Sequence, residues 1–259
     1  MKLSNQVAVI TGASEGIGAA IARRFAGEGA RVVLAARSEE KLKALAEELG
    51  SERALAVPTD VTDAEQVKRL MARTREHFGG LDILVNNAGV GLYASVAEMA
   101  WADFEQMWKV NFFGVVRCIR EALPDLRERR GMVVNISSVA GKLAIPYLTG
   151  YCASKFALNA FSTGLRMELA QAGVRVVVVC PGTVRTPFHQ SAFRSNRLPE
   201  VFAQRSRGGI SAERVAVATL RAVVRGRREV VVPWRLRLAV GFRNLLPAFA
   251  DGILQRMLR

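Results

Sequence analysis

The sequence predicts an α/β fold: a single-domain, doubly wound Rossmann fold with a seven-stranded parallel sheet, followed by a helical C-terminal extension. Three observations carry this. Short, unbroken apolar runs such as Val7-Ala8-Val9-Ile10 read as strands buried on both faces. Helical patterns alternate with them over the first 182 residues, with no linker or low-complexity segment between. A glycine-rich turn, Thr11-Gly12-Ala13-Ser14-Glu15-Gly16-Ile17-Gly18, follows the first strand and opens the first helix. Strand, glycine turn and helix in that order make a phosphate-binding context, because the helix N-terminus offers unpaired N–H groups and the positive end of its dipole.

Taken in order, Arg31–Ala36 reads as the second strand. At its end, where an acid would accept hydrogen bonds from an adenosine ribose, stands Ala36-Arg37-Ser38. No carboxylate is there to repel a 2′-phosphate, and Arg37 is placed to pair with one. Residues 39–49 form a helix, Ala54–Val57 a strand ending in Pro58-Thr59-Asp60-Val61, and residues 64–78 a helix. Leu81–Val85 is the fourth strand and runs into Asn86-Asn87-Ala88-Gly89; Trp101–Ile119 reads as one long helix around Asn111. Met132–Ile136 is the fifth strand, ending at Ser137-Ser138. Residues 151–171 form a helix, and Val174–Val179 a strand closed by Cys180-Pro181-Gly182. Residues 183–210 mix Phe188, Phe193 and Phe202 with prolines and arginines and read as a mobile lid. A helix over 211–225 and the strand Glu229–Val232 complete the domain, 1–232.

In the extension, 233–259, Leu238, Phe242 and Leu245 share one helical face and Phe249, Ile253 and Met257 another, with arginines around them. Such a pair of helices fits packing against the pocket or a second subunit, a lipid interface, or an acidic carrier. Charge is uneven: of the net +14, residues 183–259 hold 15 Arg or Lys against 4 acids. Nucleic-acid binding is excluded for want of a motif or stacking array. Cys118, Cys152 and Cys180 read as reduced, buried thiols, and His77 and His189 as surface residues; no metal site is expected. The N-terminus lacks a signal peptide and no run is long enough to span a membrane, so a cytoplasmic protein is expected, with at most peripheral membrane contact.

Tyr151-Cys152-Ala153-Ser154-Lys155 places a phenol and an ammonium on one helical face. A phenol titrating near 10 is a poor base at neutral pH, and lowering its pKa by about three units takes roughly 4 kcal/mol, which a neighbouring ammonium can supply. Ser138 is a hydroxyl able to hold a carbonyl or alcohol oxygen beside the phenol.

With these pieces in this order, the chain resembles the short-chain dehydrogenase/reductase family, in its NADP-preferring form, over about residues 5–232. Thr11–Gly18 matches the TGxxxGxG loop, Asp60-Val61 the pair that meets the adenine, Asn86–Gly89 the NNAG motif, and Pro181-Gly182 with Thr186 the PG-x3-T segment. The resemblance implies catalysis by Asn111, Ser138, Tyr151 and Lys155. Tyr151 acts as general acid/base, Ser138 holds the substrate oxygen, Lys155 holds the nicotinamide ribose and lowers the Tyr151 pKa, and Asn111 anchors a relay water. It implies a cofactor site of Gly12, Ser14, Glu15, Gly16, Ile17, Gly18, Arg37, Asp60, Val61, Asn87, Ala88, Gly89, Tyr151, Lys155, Pro181, Gly182, Val184 and Thr186. Glu15 departs from the pattern, standing where NADP-preferring relatives often carry a basic residue. The expected activity is NADP(H)-dependent interconversion of a hydrophobic ketone and a secondary alcohol, with 3-oxoacyl-thioester reduction or a non-enzymatic membrane- or partner-binding role as alternatives. Leu92, Tyr93, Ile145, Tyr147 and Phe188, together with Ser138, are the candidate substrate contacts; Leu143, Leu148 and Phe193 are further apolar candidates for the pocket. A homodimer or homotetramer is expected.

Overall fold

The computed structural model describes residues 1–195, 198 and 208–256. Seven parallel strands form the central sheet, in the order β11-β7-β6-β4-β1-β2-β3. They are β1 (Val7–Thr11), β2 (Arg31–Ala36), β3 (Ala54–Pro58), β4 (Ile83–Asn86), β6 (Met132–Ile136), β7 (Arg175–Pro181) and β11 (Glu229–Val232). Central strands are mostly apolar because both faces are covered: all five residues of β1 and of β6 are buried, Thr11 and Asn135 the polar exceptions. On one face lie α1 (Gly16–Gly27), α2 (Glu39–Leu49) and a later helix, α7 (Ala212–Val224), over a core that includes Ile10, Ile21, Phe25, Leu34 and Leu220. The other face carries α3 (Ala64–Phe78), α5 (Gly114–Glu128) and α6 (Thr149–Glu168), packed over Val9, Leu70, Met71, Leu84 and Leu158.

Strand order runs outward in both directions from the β1–β4 pair, so the chain crosses to opposite faces there and leaves a crevice at the strands' C-terminal ends. Short strands frame the crevice. The pair β5 (Leu92–Tyr93) and β9 (Phe193–Arg194) aligns Leu92 with Phe193, and β8 (Val184–Arg185) pairs with β10 (Ile210–Ser211). The expected lid is therefore pinned at both its ends; Pro199 and Phe202 lie outside the described residues.

The long helix expected over Trp101–Ile119 is three pieces. α4 (Trp101–Trp108) passes into a π-helical turn, Lys109–Phe113, and then into α5, which continues beyond Pro124 to Glu128. The tail forms α8 (Leu236–Leu245) and α9 (Pro247–Arg256). Leu236 and Val240 seat α8 on Val139, Val178, Cys180 and Val231, while Leu238, Phe242 and Leu245 point outward. Among the described residues, it is the inner side of α8 that packs against the domain. The side chain of Ile253 and all of Met257 lie outside the described residues.

Candidate active site

The glycine turn and the Asn86–Gly89 segment meet across the crevice. Thr11 Oγ1 accepts hydrogen bonds from the backbone N–H of Asn87 (3.0 Å) and Ala88 (3.1 Å). Asn87 Nδ2 donates to the carbonyls of Thr11 (3.0 Å) and Gly12 (3.1 Å). The packing leaves no room for side chains: a Cβ on Gly18 would lie 2.1 Å from the Gly12 carbonyl oxygen, and one on Gly12, at φ 64°, 2.9 Å from Ala88 Cα. Gly16 faces the methyl group of Thr186, which brings the segment after β7 against the glycine loop. α1 opens with no side-chain cap and no acidic residue in its first turn, so its dipole end favours an anion. Backbone approach, helix end and small residues together fit a dinucleotide. Ile17, partly buried, packs against the core on the α1 face, and buried Val184 belongs to the same core.

Beyond β2, exposed Arg37 lines a groove of about 670 Å³ with Thr59, Asp60, Gln66 and Arg69. Asp60 is already engaged locally: its Oδ1 accepts from the Thr62 N–H and hydroxyl, both at 2.8 Å. Buried Val61 gives its carbonyl to Arg117 (2.9 Å). Glu15, the departure from the family pattern, is paired with Lys41 Nζ at 2.6 Å, which neutralises the acid beside Ser14 and Gly16.

Ser138 sits just past β6, its Oγ accepting from the Ala140 N–H (3.1 Å) and donating to the Pro181 carbonyl (3.4 Å). α6 presents Tyr151 and Lys155 one turn apart. Lys155 is 4% exposed, and its Nζ donates to the Ile136 carbonyl at 3.1 Å. Burial pushes its pKa down to about 8. The Tyr151 phenol is driven the other way, above its ordinary value, by burial, and a hydrogen bond with the Ser138 hydroxyl offsets part of that. The expected lowering of the Tyr151 pKa by Lys155 is not seen in this geometry: the ammonium lies 5.9 Å from the phenol ring centroid and donates to the Ile136 carbonyl, and burial is the largest influence on each group.

Asn111, fully buried in the π-helical turn, clamps the end of the Asn86–Gly89 segment. Its Oδ1 accepts from the Val90 N–H (2.8 Å), and its Nδ2 donates to the Val90 carbonyl (2.9 Å) and to Ser154 Oγ (3.2 Å). Gly89 lies between Asn111 and Lys155: a Cβ there would stand 3.3 Å from Asn111 Oδ1 and 3.7 Å from Lys155 Nζ.

Aromatic and aliphatic groups close around the phenol. Tyr93, Ile145, Tyr147 and Leu148 share one cluster with Tyr151, Leu92 packs on it from a second, and the Phe188 ring stands 6.0 Å away. Tyr147 takes a left-handed backbone (φ 62°), a strained state for a bulky residue and one that recurs near functional sites. Leu143 is not in this cluster; it packs towards α8. Phe193 belongs to the second cluster, with Leu92, Met107 and Tyr151. His189, expected at the surface, is half-buried, with Nδ1 2.6 Å from the Tyr93 hydroxyl; the β5–β9 pairing draws it in.

Sequence reasoning passed over several supporting groups. Asn86 Nδ2 donates to Asn135 Oδ1 (2.9 Å), and Asn135 Nδ2 to Ser162 Oγ (2.8 Å), a buried polar chain tying β4, β6 and α6. The signal was present: Asn135 interrupts an otherwise apolar run.

A family model described as short chain dehydrogenase matches residues 6–197. An uncharacterised oxidoreductase of Staphylococcus aureus (strain MW2) is 40% identical over 185 residues, 71% of this chain and 80% of that protein. Among solved structures, a short-chain dehydrogenase/reductase from Burkholderia phymatum in complex with NAD superposes with TM-score 0.87 at 30% identity, covering 94% of each chain. An alcohol dehydrogenase from Thermococcus sibiricus complexed with 5-hydroxy-NADP gives 0.77 at 32%, over 88% of this chain and 95% of that one. A 3-ketoacyl-(acyl-carrier-protein) reductase from Brucella melitensis complexed with NADH gives 0.80 at 29%, over 89% and 97%. The chain belongs to the short-chain dehydrogenase/reductase family and is an NAD(P)-dependent oxidoreductase acting on CH–OH groups.

Proposed function

We propose that this enzyme interconverts a hydrophobic ketone and its secondary alcohol with NADP(H), using Tyr151 as general acid/base. The observation that carries the reading is the convergence of the Ser138 hydroxyl and the Tyr151 phenol within a ring of apolar side chains. Bound in the crevice, a nicotinamide dinucleotide supplies the hydride. In reduction, Ser138 donates a hydrogen bond to the substrate oxygen and stabilises charge as it develops there. Tyr151 gives that oxygen its phenolic proton as general acid. Lys155, with a pKa near 8, exchanges protons close to neutrality and restores the one Tyr151 has lost. In oxidation the same groups run in reverse. Lys155 also holds the cofactor's ribose, and Asn111 fixes the Asn86–Gly89 wall beside it.

NADP(H) is favoured because the end of β2, Ala36-Arg37-Ser38, carries exposed Arg37 and no carboxylate at the position where an acid would meet the ribose, and because Lys41 pairs with Glu15. The NADP analogue bound by the Thermococcus relative is consistent with this; the NAD bound by the Burkholderia relative marks the competing choice. A second reading, 3-oxoacyl-thioester reduction, draws on the Brucella relative and on the basic C-terminal third. A panel of aryl, steroid and lipid ketones with acetoacetyl thioesters, assayed with NADPH and NADH, separates the readings. Turnover of hydrophobic ketones with NADPH at least tenfold more efficiently than with NADH is expected. Selective turnover of thioesters supports the second reading instead.

A further inference from the structure

We infer that the C-terminal helices form a docking face for an anionic lipid surface. Trp234 (64% exposed), Leu238 (65%), Leu245 (80%) and Phe249 (62%) stand in solvent with Phe242. On α8, Leu238, Phe242 and Leu245 follow i, i+4, i+7 spacing and form one stripe, opposite the Leu236–Val240 side that seats the helix on the domain. Phe249 of α9 extends the stripe, its ring 6.1 Å from that of Phe242. Large apolar side chains at this exposure mark an interaction surface.

Charge selects the occupant. From Pro233 to the end the chain has five arginines against Asp251 alone. Arg235 and Arg237 are exposed beside the stripe. A second copy docked through the same face by two-fold symmetry would set arginine against arginine. A leaflet of anionic lipid presents the opposite sign together with an apolar layer, which this pattern of arginine, tryptophan and aliphatic side chains matches. The contact is peripheral, since among the described residues no helix is long and apolar enough to cross a membrane. Position gives the contact a use. Leu236 on the inner side of α8 crowds Gly182, where an added Cβ would lie 2.5 Å from it, and with Val240 it packs on Val139, next to Ser138. Docking therefore sets the mouth of the crevice beside the lipid.

The inference does not depend on the substrate reading, because its test needs no turnover. Full-length protein is sedimented with vesicles of phosphatidylcholine alone and of phosphatidylcholine with phosphatidylglycerol. Binding to the anionic vesicles only, weakened by salt and accompanied by a blue shift of emission that Trp234→Phe removes, is the expected result. Arg235→Gln/Arg237→Gln lowers the partition constant roughly 30-fold, and Leu238→Ser/Leu245→Ser about tenfold or more. All four side chains are exposed, so circular dichroism and basal activity stay as in the wild type. Equal binding to neutral vesicles, no binding at low salt, or variants that bind like the wild type overturn the inference. If instead the serine variants shift a dimer to monomer in ultracentrifugation without vesicle binding, the face belongs to a second copy. If the protein binds an acidic carrier protein but not vesicles, it belongs to a protein partner.

Discussion

Lys155 carries the clearest residue-scale consequence of burial. Its ammonium is 4% exposed with one carbonyl partner at 3.1 Å, and desolvation lowers its pKa from 10.5 to about 8. Below pH 8 it is protonated in both the folded and the unfolded chain, so the folded state bears the cost of burying the charge. As pH rises from about 8 towards 10 the folded chain sheds this proton first, and stability increases by up to the order of 3 kcal/mol. From about pH 9 the unfolded chain also ionises Cys118 and Cys180, whose burial holds them up to about 12 in the fold, and above pH 10 Tyr151, whose folded pKa is raised, so these groups pull stability down in wild type and variant alike. In urea titrations between pH 7 and 10 the stability difference between wild type and Lys155→Met should therefore rise with pH, although each profile alone turns down above about pH 9. A difference that stays constant over that window would show that Lys155 is not desolvated as described.

At the scale of elements, the π-helical turn between α4 and α5 is what turns Asn111 inward. Its amide satisfies both backbone groups of Val90 and touches Ser154, linking the turn, the wall of the crevice and α6. Asn111→Ala strands the half-buried Val90 N–H and C=O and should cost about 2 kcal/mol by urea unfolding at unchanged m-value. It should cut activity further than stability alone explains, because Gly89 and Lys155 lose their shared neighbour. The sequence disclosed the strands well, since double burial demands the apolar runs seen in Val7–Ile10 of β1 and in β6, where Asn135 is the one interruption. It did not disclose the π turn, because Lys109–Phe113 holds no residue type that demands one. Nor did it mark Pro124 as tolerated inside α5 or His189 as bonded to Tyr93, features that depend on packing between elements distant in the chain.

Across the whole molecule, the glycine loop, the Asn86–Gly89 segment, Ser138, Tyr151 and Lys155 were legible because each is tied to backbone geometry by its neighbours in sequence. The apolar shell was legible only in part. Tyr93, Ile145, Tyr147 and Phe188 converge on Tyr151, whereas Leu143 turns towards α8, a choice made by tertiary packing rather than local pattern. Cofactor binding should stabilise the fold as one unit: NADPH at a hundred times its Kd contributes about 2.7 kcal/mol, or roughly 5–10 °C in Tm. Arg37→Ser should weaken NADPH roughly tenfold to a hundredfold and leave NADH within twofold by fluorescence titration. Equal losses for both cofactors would remove Arg37 from 2′-phosphate recognition. The most direct test of the catalytic assignment is carbonyl-dependent NADPH oxidation by wild type and Tyr151→Phe, with NADPH binding measured on the same preparations. A loss of 10²–10⁴-fold in kcat with NADPH affinity retained is predicted. Full activity in Tyr151→Phe would contradict the account.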